Sequence, residues 1–237
     1  MYLKNMNKNI KLLKPYFNFK KNISILIKRI ATPKIIDIYF RDKQIIKIHL
    51  GCGGRIFKDW LNCDINLQSD CYVDLNKKLP FKDNSVDYIY SEHVLEHFDY
   101  QKGKEIMQEC YRILKQGGIV RTAMPNLEFF TEGLNSEDFK YKEFSKWYKE
   151  NFKELKNLPD GMNSMLNFII GCCGHKYVYT EETFQNLLNE INFKEIKRVE
   201  TGKSEHKEFD YLENNMMGRH NNVINHLLQT MALEAKK

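Results

Sequence analysis

A chain of 237 residues that is 42% hydrophobic is long enough for one sizeable α/β core and too short for two catalytic domains with separate cores. Its longest apolar runs, Ile35 to Phe40 and Ile45 to Leu50, are about six residues each, far below the roughly 20 that span a bilayer. The net charge of +6 is uneven: residues 1–44 hold eleven Lys or Arg against Asp37 and Asp42, or +9, which leaves residues 45–237 at −3.

Lys11, Lys14, Lys20 and Lys21 interrupt the first apolar cluster, and no small-residue cleavage site follows, so the segment does not resemble a secretory signal. A cytoplasmic protein is expected, with the basic arm able to hold it peripherally at the inner face of the membrane. Six cysteines are scattered without a CxxC pair, which favours reduced thiols over a disulfide framework.

In chain order, residues 1–44 form a basic amphipathic extension. Ile10, Leu12, Leu13, Phe17, Ile23, Ile25, Leu26 and Ile30 recur at loosely helical spacing, which predicts one or two short helices ended by Pro33. A second region, residues 45–237, opens with the β-branched run Ile45 to Leu50, a buried strand that stops at Gly51-Cys52-Gly53-Gly54. Strands follow at Trp60–Ile65, Cys71–Leu75, Val86–Tyr90 and Gly118–Ala123, with a helix over Glu105–Leu114 before Gly117-Gly118. Residues 127–175 carry Phe129, Phe130, Phe139, Phe144, Trp147 and Tyr148 outside this rhythm and read as a helical lid over an acceptor. A helix from Thr180 to Asn189 and a strand from Phe193 to Glu200 complete a largely parallel sheet, leaving a polar tail after residue 205.

Chemistry concentrates at Gly51, Cys52 and Gly53, followed 13 residues after Gly51 by Asp64 at the end of the next strand. Glycines let a ligand approach the backbone closely, and an acid closing the second strand can take both hydroxyls of a ribose. Asp74, closing a third strand, is placed to accept from the amino group of an adenine. Cys52 sits in the loop and counts among these positions, although its side chain reads as packing and not as a nucleophile. A nicotinamide fingerprint would need a third glycine or alanine where Ile56 stands.

The fourth strand runs into Ser91-Glu92-His93-Val94-Leu95-Glu96-His97-Phe98, and Arg112-Ile113-Leu114-Lys115-Gln116-Gly117-Gly118 turns into the fifth. With Gly51, Gly53, Asp64 and Asp74, this ordered set resembles the class I S-adenosylmethionine-dependent methyltransferases of the group called type 11. The resemblance implies a Rossmann-like sheet with helices on both faces, a helical insertion after the fifth strand, and S-adenosylmethionine held by Gly51, Cys52, Gly53, Asp64, Asp74, Ser91, Glu92 and His93. More narrowly, Arg121, Pro125-Asn126-Leu127, Gly174-His175-Lys176-Tyr177 and Gly202-Lys203-Ser204 resemble predicted methyltransferases of bacterial surface-polysaccharide gene clusters, with Asn126 where those more often carry an aspartate. That likeness implies O-methylation of a sugar or small group for capsule or lipopolysaccharide.

An alcohol acceptor gains from a base that takes its proton. His175, between lid and last helix, and His93, at the mouth of the fourth strand, are the candidates. His97 reads as structural, one helical turn beyond His93. No metal is expected, because the adjacent thiols of Cys172-Cys173 beside His175 cannot both reach one tetrahedral centre. RNA methylation is the competing enzyme reading, with the basic arm following phosphates. The acidic balance past residue 44 and the lack of an RNA-binding module argue against a nucleic-acid partner. A non-catalytic binding subunit is the alternative of another class, opposed by intact Gly51, Gly53 and Asp64.

Overall fold

The computed structural model describes residues 2–171, 174–214 and 223–237, with side chains from Asn22 onward, Val223 excepted. Cys172 and Cys173 lie outside the described residues, and so does the thiol arrangement weighed beside His175.

One seven-stranded sheet organises the chain: β1 (Lys47–Leu50), β2 (Leu61–Asp64), β3 (Cys71–Tyr72), β4 (Val86–Glu92), β5 (Leu114–Pro125), β6 (Lys194–Val199) and β7 (Thr230–Lys236). Their spatial order is β3-β2-β1-β4-β5-β7-β6. The first five are mutually parallel, and β7 runs antiparallel between β5 and β6. Ile48, Leu50, Val86, Ile89 and Val120 have little or no exposure, as strands sandwiched on both faces require. This is the expected Rossmann-like layering, in which ligands collect beyond the carboxyl ends of the parallel strands.

On one face, α2 (Tyr100–Ile113) contributes Ile106, Met107, Cys110 and Ile113, and α6 (Glu181–Glu190) contributes Phe184, Leu187 and Leu188 to the main core. Asp99 caps α2 and Thr180 caps α6, each side chain accepting a backbone N–H of the first turn. The other face carries Phe57, Trp60 and Tyr90 under Phe209 and Leu212 of the 200–214 segment. Arg121 anchors that segment: its fully buried guanidinium donates to Glu213 at 2.7 and 2.9 Å, to Glu234 at 2.7 Å and to the Lys203 carbonyl at 2.9 Å.

Three expectations need correction. The sheet is not completed by the strand near residue 195, because Thr230–Lys236 inserts between it and β5. Glu234 gives β7 a polar look in sequence, yet Arg121 compensates its charge and lets it be buried. Pro33 does not stop the first helix, since α1 (Tyr2–Asp42) runs unbroken for 41 residues. A proline inside a helix costs about 3 kcal/mol, and here contacts on both sides of it offset that cost. Lys28 Nζ reaches the carbonyls of Asn66, Leu67 and Ser69, Thr32 Oγ1 accepts from the Tyr72 amide at 2.9 Å, Ile36 enters the core, and the Tyr39 hydroxyl donates to the Lys47 carbonyl at 2.9 Å. A boundary at residue 44 therefore does not follow the packing, because residues 28–40 cover the β3 edge of the sheet.

The insertion after β5 folds as α3 (Leu127–Glu132), α4 (Phe139–Asn151) and α5 (Met162–Gly171). Phe129, Phe130, Phe144 and Tyr148 are buried against one another and against Met165 and Phe168. Most of the aromatic density is thus the insertion's own core and not a platform for a sugar ring. Phe139 is the exception at 70% exposed.

Candidate functional site

β1 delivers the chain into the glycine loop at the carboxyl edge of the sheet. Gly51 and Gly53 adopt φ of +66° and +55°, the left-handed region that suits glycine. Amides of Gly51 and Cys52 donate to the Cys63 carbonyl at 2.8 and 3.2 Å, and the Gly53 amide donates to Asp64 Oδ2 at 2.8 Å. Asp64 Oδ1 accepts from the Asn66 amide at 2.7 Å, so this one carboxylate ties the glycine loop to the end of β2.

Beside this loop lies a cleft of about 250 Å³ bordered by Gly51, Asp64, Asp74, His93 and His97, with Ile65, Val73, Leu75, Val94 and Phe98 among its walls. Two carboxylates flanking apolar walls suit a flat base joined to a polar sugar. A Cβ on Gly53 would meet nothing within 4 Å, leaving open space above that stretch of backbone. The residues present therefore fit a nucleoside-bearing cofactor.

Of the sequence-predicted positions, Gly51, Asp64, Asp74 and His93 come together on this cleft. Gly53 and Cys52 stand beside it in the loop, and burial pushes the Cys52 thiol up to about 12, consistent with a packing role. Ser91 and Glu92 are buried in β4 and do not border the cleft. Glu92 accepts from Arg55, from the Tyr90 hydroxyl at 2.8 Å, and pairs with His226 Nε2 at 2.5 Å. Burial alone would raise its pKa, but the His226 hydrogen bond and the charges of Arg55 and His226 hold it down at about 2.

His93 does not begin a helix. It leaves β4 at φ +50°, with its amide on the Ala123 carbonyl, and a short 3-10 turn over Leu95–His97 precedes α2. A non-glycine residue held in this region at a cleft is strain of the kind found at functional sites. Its Nδ1 lies 3.0 Å from Oε1 of the fully buried Glu96, and its Nε2 lies 3.2 Å from the Thr230 hydroxyl. Burial works to lower the His93 pKa, but the Glu96 hydrogen bond and charge outweigh it and raise the ring above the ordinary histidine value.

His175 approaches the same carboxylate, Nε2 to Oε1 at 3.9 Å, and packs its ring edge-on to His97 at 4.9 Å. Burial lowers its pKa, and the Glu96 charge opposes that only in part. His97, read as structural, borders the cleft and meets His175 instead of stacking behind His93. Sequence reasoning missed Glu96, Thr230, Arg55 and His226. Glu96 had a signal, three residues after His93, whereas His226 is 134 residues from Glu92 and had none.

Residues 64–122 match the model of a family described as a methyltransferase domain. The chain carries the domain of an S-adenosylmethionine-dependent methyltransferase. The matched stretch runs from Asp64 through the fourth strand and its histidines into β5. No curated protein matches the methyltransferase. Among solved structures it is similar to a SAM-dependent methyltransferase from Archaeoglobus fulgidus, at 20% identity over 94% of this chain and 99% of that one, with a TM-score of 0.49. It is also similar to one from Mesorhizobium loti, at 14% identity over 87% and 97%, with a TM-score of 0.49. A third is a phosphoethanolamine N-methyltransferase from Haemonchus contortus bound to S-adenosylhomocysteine, at 15% identity over 86% and 52%, with a TM-score of 0.44. No described helix of the methyltransferase is long and apolar enough to cross a membrane.

Proposed function

We propose that this methyltransferase acts on a hydroxyl of a sugar or other small group destined for a surface polysaccharide such as capsule or lipopolysaccharide, with His93 as the base. The observation that carries the reading is the pairing of His93, on the wall of the nucleoside cleft, with the buried carboxylate of Glu96 at 3.0 Å. The likeness of Arg121, Pro125, His175 and Gly202-Lys203-Ser204 to methyltransferases of polysaccharide clusters supports the acceptor class, Asn126 being the departure from it.

When bound, the cofactor would supply an electrophilic methyl group on a sulfonium, and Gly51, Gly53, Asp64 and Asp74 are the residues that would hold it. Alignment of the acceptor oxygen provides much of the acceleration in such a displacement, and the side chains add the handling of one proton. With Nδ1–H donated to Glu96, Nε2 of His93 accepts from the hydroxyl of the buried Thr230, so a rotamer change at either residue has to free that lone pair for an acceptor. An acceptor hydroxyl in that place gives its proton to Nε2, and Glu96 stabilises the imidazolium that forms. Asp64 keeps the glycine loop in register and Asp74 closes the far end of the cleft. His175 is the second candidate, held neutral by burial and sharing Glu96.

Turnover of His93→Asn and His175→Asn on hydroxylated sugar acceptors distinguishes the two. His93→Asn lowers kcat by about 10²-fold or more with cofactor affinity nearly unchanged, while His175→Asn retains most activity. Full activity in both variants would refute a histidine base. Methylation of amines or RNA in preference to alcohols would refute the acceptor class.

A further inference from the structure

The C-terminal part of α1 is bound to the sheet through Lys28, Thr32, Ile36 and Tyr39, yet its opposite face has no partner among the described residues. Ile23, Leu26, Ile27 and Ile30 are 41, 55, 61 and 71% exposed. Their spacing of three, four and seven residues from Ile23 places them in one stripe, turned away from the face that carries Thr32 and Ile36. The sequence continues the same rhythm towards the N-terminus through Phe19, Tyr16 and Leu12. A helix of 41 residues is about 60 Å long, far more than is needed to cover the two-residue strand β3.

From this surface we infer that the outer face of α1 docks flat on an anionic lipid membrane. Charge selects the occupant. The apolar positions alternate by four and three, which is also the seam of a coiled coil, so a second copy of the chain would be the other partner of suitable shape. Residues 1–36, however, contain nine Lys or Arg and no Asp or Glu. The flanks of such a seam would carry Lys20 and Arg29 with no acid to pair them, and two copies would set one strongly basic arm against another. An anionic surface meets both features at once, because the apolar stripe enters the acyl boundary while the lysines contact headgroups. The body past residue 44, at −3, adds no attraction of its own, so binding resides in the helix.

The test is co-sedimentation of the full chain with vesicles of phosphatidylcholine alone or mixed with phosphatidylglycerol. Binding is expected at least tenfold stronger to the mixed vesicles and should fade as salt is raised past physiological strength. Ile27→Asp with Ile30→Asp should remove it while leaving melting temperature and S-adenosylmethionine affinity unchanged, since both side chains are exposed. Lys20→Gln with Lys34→Gln, which flank the stripe at its two ends, should weaken binding to the mixed vesicles without touching the apolar residues. Equal binding by wild type and the Ile27/Ile30 variant would overturn the inference. So would a dimer in light scattering that this variant dissolves while the wild type ignores the vesicles.

Discussion

Substituting Gly51 by alanine probes whether the cleft depends on the close approach of the glycine loop to the turn after β4. An added Cβ would lie 2.4 Å from Val94 Cγ2 and 3.0 Å from Cγ1, and the residue sits at φ +66°. The left-handed conformation costs a non-glycine residue roughly 1–2 kcal/mol, and inserting a methyl into a packed contact typically costs a further 1–3 kcal/mol. Val94 is itself only 9% exposed and walls the cleft, so it cannot rotate away without moving the binding surface. We expect about 2–5 kcal/mol in all, a fall in melting temperature of roughly 4–20 °C for a domain of this size. Calorimetric titration should show S-adenosylmethionine affinity reduced at least tenfold. Adding Val94→Ala removes the clash but not the backbone strain, so the double variant should recover part of the affinity lost by Gly51→Ala. Unchanged melting and binding for Gly51→Ala would refute the placement of this loop against Val94.

Asp64→Ala removes the acceptor of the Gly53 and Asn66 amides, and titration should show cofactor binding weaker by about 1–3 kcal/mol, roughly 5- to 150-fold in Kd. Because His93 holds its proton above the ordinary histidine value and must lose it to act, the methylation rate should climb with pH through a limb above 6.5. A profile already flat by pH 6.5 would instead indicate His175, whose pKa is lowered. Arg121→Met leaves Glu213 and Glu234 buried without their cation, and thermal melts should report about 3–5 kcal/mol of lost stability; a melting temperature within 2 °C of wild type would contradict the role assigned to Arg121.

The parallel half of the sheet was legible because strands buried on both faces must be nearly continuous apolar runs, as Ile45–Leu50 and Val86–Tyr90 are. The glycine loop and Asp64 were legible because their spacing is fixed by one strand–turn–strand unit. Local signals failed where a distant residue changes what a side chain means. Glu234 reads as surface until Arg121, 113 residues away, is opposite it. Pro33 reads as a stop until Lys28 and Tyr39 fasten the helix on both sides of it. His226 is an unremarked position until the fold lays it against Glu92, and the aromatic residues of the insertion could equally have lined a ligand or, as most of them do, each other. For His93, the strand end was correctly located, but the helix assumed to follow was not, so the Glu96 contact went unseen.

The placement of β7 also orders events on the ribosome. β6 pairs with β7, and β7 bridges it to β5, so residues 194–199 have no sheet neighbour until residues 230–236 exist. At ordinary elongation rates that interval of about 30 residues lasts roughly 2–6 s. Throughout it the free side of β5 is an open row of amides and carbonyls, and β6 is held near the nascent domain by its packing with α6 and by Ile196 against the core. A slow stretch of codons or a stalled ribosome in that window would therefore expose a strand-accepting edge to any neighbouring extended chain.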